Sequence, residues 1–439
     1  MQFTLNAPAL LQALKSINIR MQIHEFVHIQ AHDGKLTLTT CTKPPTRWRE
    51  LDRPRMRASI SMTEGLSIKE NEGSLSVNYQ ALVSAIKMVD GPVTLRQDGQ
   101  VLIVERPGEL KHQTPIEGND FFPQPPAIPE KGTNYSKNER QWVTCPTCGQ
   151  GHSQEHQDLY QILGVITQQI RFARERFLST LKHIEWAVAS EDRRCRSDDG
   201  RTGVSLSLID GFLILQARDG YSVARYREPA TSGGDFQQSV LIPAKQLKQA
   251  LQLLPRKMDV SLEAIFVQHQ HVKRDGQDVL DIALSTRAKE IRLSAGDMCI
   301  TLSLLNDGSP DYQTFFADTT ARETQVVCST ADLLLAVKAA GSVAEQQRSP
   351  IQFRVDEKQI NLETGSSSSP ALHQVLLVAK TGPDLSIALN AWYLRQALSV
   401  ITTGEVKIEI GAPDKPVVIR PMSEQDTFAC AMTPMKTYE

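Results

Sequence analysis

The chain has 439 residues, a net charge of −2 and 40% hydrophobic residues. This length predicts about three domains, and the composition excludes a disordered chain. Near-zero net charge excludes a protein coated uniformly with Lys and Arg, so any basic surface must be local and offset by acidic residues elsewhere. No apolar run approaches the roughly 18 residues that span a bilayer, and the N-terminus lacks the features of a secretory signal. Five of the seven cysteines are scattered singly, which does not suit a disulfide framework. We therefore expect a soluble, cytoplasmic protein.

Six segments place apolar residues at helical spacing, two in each third of the chain. They are residues 7–17, 79–89, 176–188, 244–254, 330–340 and 391–401. The second helix of each third is followed by a helix-ending turn (Asp90-Gly91, Pro255 or Thr403-Gly404) and then by a strand of alternating apolar and polar residues. Such strands are typical of antiparallel sheets with helices on one face. The sequence predicts an α+β fold of three similar modules, although helix–turn–strand units also recur in α+β folds by chance.

Two segments interrupt this pattern. Residues 123–140 are rich in proline and polar residues, which predicts a linker. Residues 269–278 are polar around a central Asp-Gly, which predicts an elongated hairpin in the middle module.

Five short motifs extend over the chain: MQFTLNAPALLQAL at the N-terminus, NDFFP at 119–123, ARDGYSVA at 217–224, DGSPDY at 307–312 and TPMK at 433–436. The third resembles the ATDGHRLA motif of the bacterial DNA polymerase III beta subunits, the sliding clamp family. The fourth resembles that family's DGxFPDY motif, and the other three are similar to the corresponding family segments. The resemblance implies clamp domains at 1–125, 169–322 and 323–439, with a linker at 126–168 that carries an insertion. It also implies that two chains close head-to-tail into a ring around duplex DNA.

The resemblance further implies that helices line a channel and present cations to phosphates without reading bases. The candidates on or beside the predicted helices are Lys15, Arg20, Lys87, Lys182, Lys248, Lys338 and Arg395. Each alone could be an ordinary solvated side chain, but their recurrence in all three thirds favours a channel. The implied partner is double-stranded DNA, bound without sequence specificity.

The family also docks short peptide motifs of DNA polymerases, clamp-loader subunits and repair proteins between its second and third domains. Carried over by position, this pocket comprises Arg218, Asp219, Gly220, Tyr221, Ser222, Val223, Pro310, Thr314, Phe315, Pro434 and Met435. Apolar side chains and an adaptable methionine suit such a pocket. The alternative is that these motifs form only a hairpin and a turn. At 218 and 221–223 the chain departs from the family's Thr, His, Arg and Leu, which predicts an altered partner preference.

A second departure concerns the ring seam. By alignment, Gly341 and Ser342 occupy the place of the bulky apolar residues that close the family's ring. A seam without large apolar side chains is weaker, so we expect a labile homodimer.

The insertion contains a pattern typical of metal sites. Cys145, Cys148, His152 and His156 form C-x2-C-x3-H-x3-H, and two thiolates with two imidazoles suit a closed tetrahedral zinc site. We expect a structural zinc ion. The alternatives are a redox-active or incomplete cysteine pair and a polar loop without function.

The sequence therefore predicts a non-catalytic processivity clamp for DNA replication. A second hypothesis is a clamp-fold adaptor of phage or mobile-element type, which recruits a dedicated polymerase or repair factor through the zinc module. A third is a DNA-processing enzyme such as a nuclease, but the sequence shows no acidic metal cluster, P-loop or nucleophile elbow to support catalysis.

Overall fold

A computed structural model describes residues 1–18, 26–42, 56–70, 72–106, 110–117, 131, 134–144, 151–190, 200–230, 239–274, 277–278, 284–305, 316, 322–343, 350–364, 372–412, 415–423 and 427–435. The α-helices in these residues are α1 (Ala7–Ser16), α2 (Tyr79–Lys87), α3 (Arg174–Ile184), α4 (Ala244–Leu253), α5 (Thr330–Val343) and α6 (Ala391–Val400). All six lie where the apolar periodicity predicted a helix. None of the described helices is long and apolar enough to cross a membrane.

The strands in the first half of the chain are β1 (Gln2–Asn6), β2 (Phe26–His32), β3 (Lys35–Cys41), β4 (Met56–Met62), β5 (Ser67–Glu70), β6 (Gly73–Asn78), β7 (Pro92–Asp98), β8 (Val101–Arg106), β9 (Leu110–Glu117), β10 (Asn134–Thr144), β11 (Gly151–Ala173), β12 (Gly203–Ile209), β13 (Phe212–Arg218) and β14 (Ser222–Pro229). Those in the second half are β15 (Val240–Pro243), β16 (Asp259–Arg274), β17 (Gln277–Asp278), β18 (Leu284–Ala295), β19 (Met298–Ser303), β20 (Thr324–Ser329), β21 (Pro350–Val355), β22 (Gln359–Thr364), β23 (Leu372–Leu377), β24 (Ala379–Thr381), β25 (Leu385–Asn390), β26 (Glu405–Ile410), β27 (Val417–Pro421) and β28 (Phe428–Met432).

Three helices begin directly after a strand that ends in asparagine. Asn6, Asn78 and Asn390 precede α1, α2 and α6, and each side-chain oxygen accepts a hydrogen bond from a backbone N–H of the first helical turn. The cap satisfies a donor that has no partner within the helix, so the helix starts at a defined residue.

The first and last thirds of the chain each contain an equivalent long-range backbone hydrogen bond. The Ala7 N–H, at the start of α1, donates to the Gly91 carbonyl at 2.9 Å. The Thr330 N–H, at the start of α5, donates to the Gly404 carbonyl at 3.0 Å. Both glycines lie in the turn after the second helix of their third, so the equivalent contacts support the predicted internal repeat.

The chain divides into two compact units. The first comprises Met1–Arg171 and Gln249–Leu304, and the second Phe172–Lys248 and Leu305–Glu439. In the first unit the described strands form one sheet in the order β10-β11-β16-β18-β19-β4-β3-β2-β6-β9-β8-β7-β1-β5, with β17 beside β16. Helices α1 and α2 pack together there and bury Leu10, Leu14, Leu82 and Ile86.

The second unit contains two sheets in its described residues. Their orders are β15-β12-β13-β14-β28-β27-β26-β20-β24 and β23-β22-β21-β25. Antiparallel pairing of β14 with β28 places a strand from the middle third beside the last strand of the chain. Helices α5 and α6 pack together and bury Leu333, Val337, Leu394 and Leu398. The predicted α+β class, with helices on antiparallel sheets, is confirmed.

Part of the segment that was predicted to be a linker forms the β-strand β10. β10 pairs with β11 along its whole length, and β11 in turn neighbours β16. The register places residues 134–144 opposite residues 151–161. Composition predicted a linker because it does not show which residues meet across strands. The domain boundaries at 125, 168 and 322 stay predictions.

The elongated hairpin predicted at 269–278 is present. β16 continues to Arg274 and pairs with both β17 and β18. The central Asp-Gly at 275–276 lies outside the described residues.

Candidate functional site

One aspartate closes the loop between β13 and β14. The Asp219 Oδ1 atom accepts hydrogen bonds from the backbone N–H groups of Tyr221 and Ser222, both at 2.9 Å, and from the Ser222 hydroxyl at 3.2 Å. Gly220 adopts φ +101°, which glycine reaches without steric strain. Such a side-chain-to-backbone turn fixes a short loop. It leaves the Tyr221 side chain 60% exposed.

Residues 433–435 lie against this loop. β28 pairs with β14, and beyond it the Thr433 N–H donates to the Tyr221 carbonyl at 2.9 Å. The Met435 N–H then donates to the Ala388 carbonyl of β25, also at 2.9 Å. These two bonds fix the backbone on both sides of Pro434. Pro434 and Met435 are half-buried and remain available for contact.

An apolar floor of five buried residues lies beside the loop. It consists of Val223, Phe316, Val418, Ala429 and Ala431. The Arg225 guanidinium carbon lies 4.5 Å from the centre of the Phe316 ring, and that of Arg420 lies 6.0 Å from it. Arg420 also donates to the Phe316 carbonyl at 2.9 Å. The ring and the backbone of Phe316 are therefore both fixed, because cations are attracted to aromatic faces.

A buried carboxylate orients Arg420. Glu409 Oε2 lies 3.5 Å from Arg420 Nε and 3.4 Å from an Arg322 guanidinium nitrogen, and Glu409 Oε1 lies 3.2 Å from Lys407 Nζ. A buried carboxylate needs such cationic partners to offset its loss of hydration. Because it holds Arg420 in place, this network also helps to fix the position of Phe316 in the floor.

Cys430 lies in β28, near Asp219, and takes no part in this polar network. Burial, and then the negative charge of Asp219, raise the pKa of the Cys430 thiol. The thiol is therefore protonated at neutral pH and has no nucleophilic role.

The structure brings together most of the residues predicted for the peptide pocket. Those in described positions are Arg218, Asp219, Gly220, Tyr221, Ser222, Val223, Pro434 and Met435. Pro310, Thr314 and Phe315 lie outside the described residues. A role for any of these residues in binding a peptide stays a prediction.

The sequence argument missed Phe316, Val418 and the two alanines of the floor. The adjacent Phe315 and Phe316 were a usable signal, because two aromatic residues follow a polar segment. The sequence does not show which of the two turns inward, and the structure buries Phe316 to 3% exposure. Alanine carries no chemical signal of its own.

The predicted channel cations are mostly exposed on helices. Those exposed are Lys15, Lys87, Lys182, Lys338 and Arg395. Lys248 instead forms an ion pair with Glu185, with a nitrogen–oxygen distance of 2.5 Å, so its charge is offset. A DNA contact by Lys248 stays a prediction. Arg20 lies outside the described residues.

Only part of the predicted zinc set is described. Cys145 and Cys148 lie outside the described residues, whereas the backbone of His152 and His156 belongs to β11. A zinc ion held by these four residues stays a prediction.

Comparisons with known proteins agree with the motifs. Residues 320–436 match the family model described as DNA polymerase III beta subunit, C-terminal domain. The beta sliding clamp of Staphylococcus epidermidis is 23% identical over 401 residues, which cover 87% of this chain and 94% of that protein. The beta sliding clamp of Bacillus subtilis is 22% identical over 241 residues, which cover 54% of this chain and 57% of that protein.

Solved structures share the fold along the whole chain. The DNA polymerase III subunit beta from Pseudomonas aeruginosa matches with a TM-score of 0.67 at 17% identity, over 99% of this chain and 100% of that one. The DNA polymerase III beta subunit from Thermotoga maritima matches with a TM-score of 0.62 at 16% identity, over 100% of both chains. The fold is therefore that of the sliding clamps. Residues 320–436 match the C-terminal domain of the DNA polymerase III beta subunits, and the chain is similar to beta sliding clamps over most of its length, as its motifs indicated.

Proposed function

We propose that this chain is a processivity factor for DNA replication, which encloses duplex DNA and tethers a DNA polymerase without catalysing a reaction itself. The clamp fold along the whole chain, with the family match at residues 320–436, carries the proposal. Enclosure suits a net charge of −2, because a ring is retained by topology and needs only weak phosphate contacts. The cytoplasmic location predicted from the sequence accords with this function.

Exposed helix cations are the proposed DNA contacts. In the second unit these are Lys182, Lys338 and Arg395, on α3, α5 and α6. Long, flexible cationic side chains on helices attract phosphates without selecting a base sequence. A duplex held in this way remains free to slide.

Partner peptides, in this proposal, bind at the loop 218–223, the apolar floor and the tail at Pro434 and Met435. The loop displays Tyr221, an aromatic residue of the type that often dominates binding energy. Tyrosine in place of the family's histidine enlarges the apolar contact. We therefore keep the prediction of an altered partner preference. Binding of a labelled peptide that carries a generic polymerase clamp-binding motif tests this prediction. Tight, undiminished binding would count against it.

A second copy of the chain is the proposed partner for an apolar strip on α5 and β23. Leu335 is 68% exposed on α5, and Val375 and Leu377 are 48% and 82% exposed on β23, an edge strand that contacts α5. Exposed apolar edges are typical of interaction surfaces. Gly341 and Ser342 are exposed and small, as the labile-dimer hypothesis requires. Burial of Leu335 and Leu377, at about 1.5–3 kcal/mol each, would partly offset the small apolar contact that Gly341 and Ser342 provide.

A polymerase extension assay with a clamp loader tests the whole proposal. We expect longer products per binding event when the chain is added. Retention on circular DNA with release after linearisation would distinguish a ring from an ordinary DNA-binding protein, and shortened DNA would indicate a nuclease. Neither the described residues nor the comparisons favour the adaptor hypothesis over a replication clamp.

A structural zinc ion remains our proposal for the insertion. Cys145, Cys148, His152 and His156 would hold it, and its chemistry would be structural only. Metal analysis of the purified protein should find about one zinc ion per chain, and Cys145→Ser should lose it. Equal metal content in both proteins would refute the site.

A further inference from the structure

A tyrosine on α6 contacts the aspartate that closes the loop. The Tyr393 hydroxyl donates a hydrogen bond to Asp219 Oδ2, while Asp219 Oδ1 accepts the bonds from Tyr221 and Ser222. The two carboxylate oxygens therefore have separate tasks: one faces the helix and the other faces the loop. Hydrogen bonds to a carboxylate are among the stronger ones in proteins.

The position of Tyr393 is itself fixed. Its backbone N–H donates to the Asn390 cap at 3.3 Å, and its ring meets the Trp392 ring edge-on at a centroid distance of 5.1 Å. The Tyr393 side chain is only 5% exposed. A fixed hydroxyl of this kind selects one orientation of the Asp219 carboxylate, whose terminal torsion is otherwise broad.

We propose that Tyr393 is a positioning residue of the candidate site, which orients Asp219 so that the loop presents Tyr221 to a docked peptide. This inference rests on the proposed docking function. Tyr393 touches no partner itself and acts through Asp219. Because α6 also carries the exposed Arg395, the same helix connects the loop to a proposed DNA contact.

The chain offers a matched control. Tyr79 is 4% exposed in the first unit, and its hydroxyl donates to the Leu14 carbonyl at 3.0 Å. Tyr79→Phe and Tyr393→Phe each remove one buried hydroxyl and one hydrogen bond. They differ in that only Tyr393 contacts the loop aspartate.

Two measurements on the full chain test the proposal. Amide hydrogen exchange at Tyr221 and Ser222 needs no ligand, and we expect roughly tenfold faster exchange in Tyr393→Phe but no change in Tyr79→Phe. Affinity for a fluorescent peptide with a polymerase clamp-binding motif should fall roughly tenfold in Tyr393→Phe alone. In an Asp219→Ala background, Tyr393→Phe should have no further effect, because its target is absent.

Unchanged exchange at 221–222, equal effects of both tyrosine variants, or additive effects with Asp219→Ala would each overturn the proposal. Weaker binding of this generic motif is what the altered partner preference predicts, whereas no measurable binding by the unaltered chain would contradict the proposed docking function instead. The exchange measurement would still decide whether Tyr393 positions the loop.

Discussion

Replacing Phe316 by alanine would remove the largest side chain from the apolar floor of the candidate site. Phe316 is 3% exposed, and a buried Phe→Ala change typically costs about 3–5 kcal/mol of unfolding free energy. The contacts of Arg225 and Arg420 with the ring are lost as well, at about 0.5–1 kcal/mol each. Together these losses come to about 4–7 kcal/mol, and at about 2–4 °C per kcal/mol the second unit should unfold roughly 8–28 °C lower.

Calorimetry and urea titration of the full chain would measure this loss, and peptide affinity would show its effect on the site. The control is Phe353→Ala, which changes an equally buried phenylalanine in β21 of the same unit. Both variants should lose similar stability, but only Phe316→Ala should weaken the docked peptide. A stability loss for Phe316→Ala below about 1 kcal/mol, or equal loss of peptide affinity in both variants, would refute this account of the floor.

Three further predictions concern charge, assembly and pH. Arg395→Glu should weaken the affinity for linear duplex DNA in a salt titration and reduce its salt dependence, whereas Lys358→Glu, on a hairpin turn, should change neither. Leu377→Asp should shift sedimentation from dimer to monomer, and an unaltered dimer would exclude β23 from the seam. Burial lowers the pKa of His28, so the unfolded chain takes up a proton first as the pH falls. The unfolding free energy should therefore decrease below about pH 6.5, and His28→Gln should remove part of that slope in urea titrations at pH 7 and pH 5.

Local signals in the sequence were enough to predict the helices. Apolar spacing and stop residues located all six, because a helix is specified by neighbours three and four positions apart. The asparagine caps at Asn6, Asn78 and Asn390 could also have been used, since a capping side chain acts within its own turn.

Pairing between distant segments was harder to predict from the sequence. Prolines and polar residues made 123–140 resemble a linker, yet the backbone of β10 pairs with β11 along its whole length. Likewise, the sequence shows Lys248 only as a cation on a predicted helix. The fold is needed to show that Glu185 forms an ion pair with it. Neither partner can be identified without the register or the packing.

The sequence by itself determined the α+β class, the positions of the six helices and the likeness to the sliding clamps, because each depends on a local pattern or a contiguous motif. Only the tertiary structure decided that Phe316 joins Ala429 and Ala431 in the floor, and that Tyr393 reaches Asp219 from another helix. These contacts join residues more than a hundred positions apart, and their free energy arises only when the folded backbone brings the groups within van der Waals or hydrogen-bonding distance.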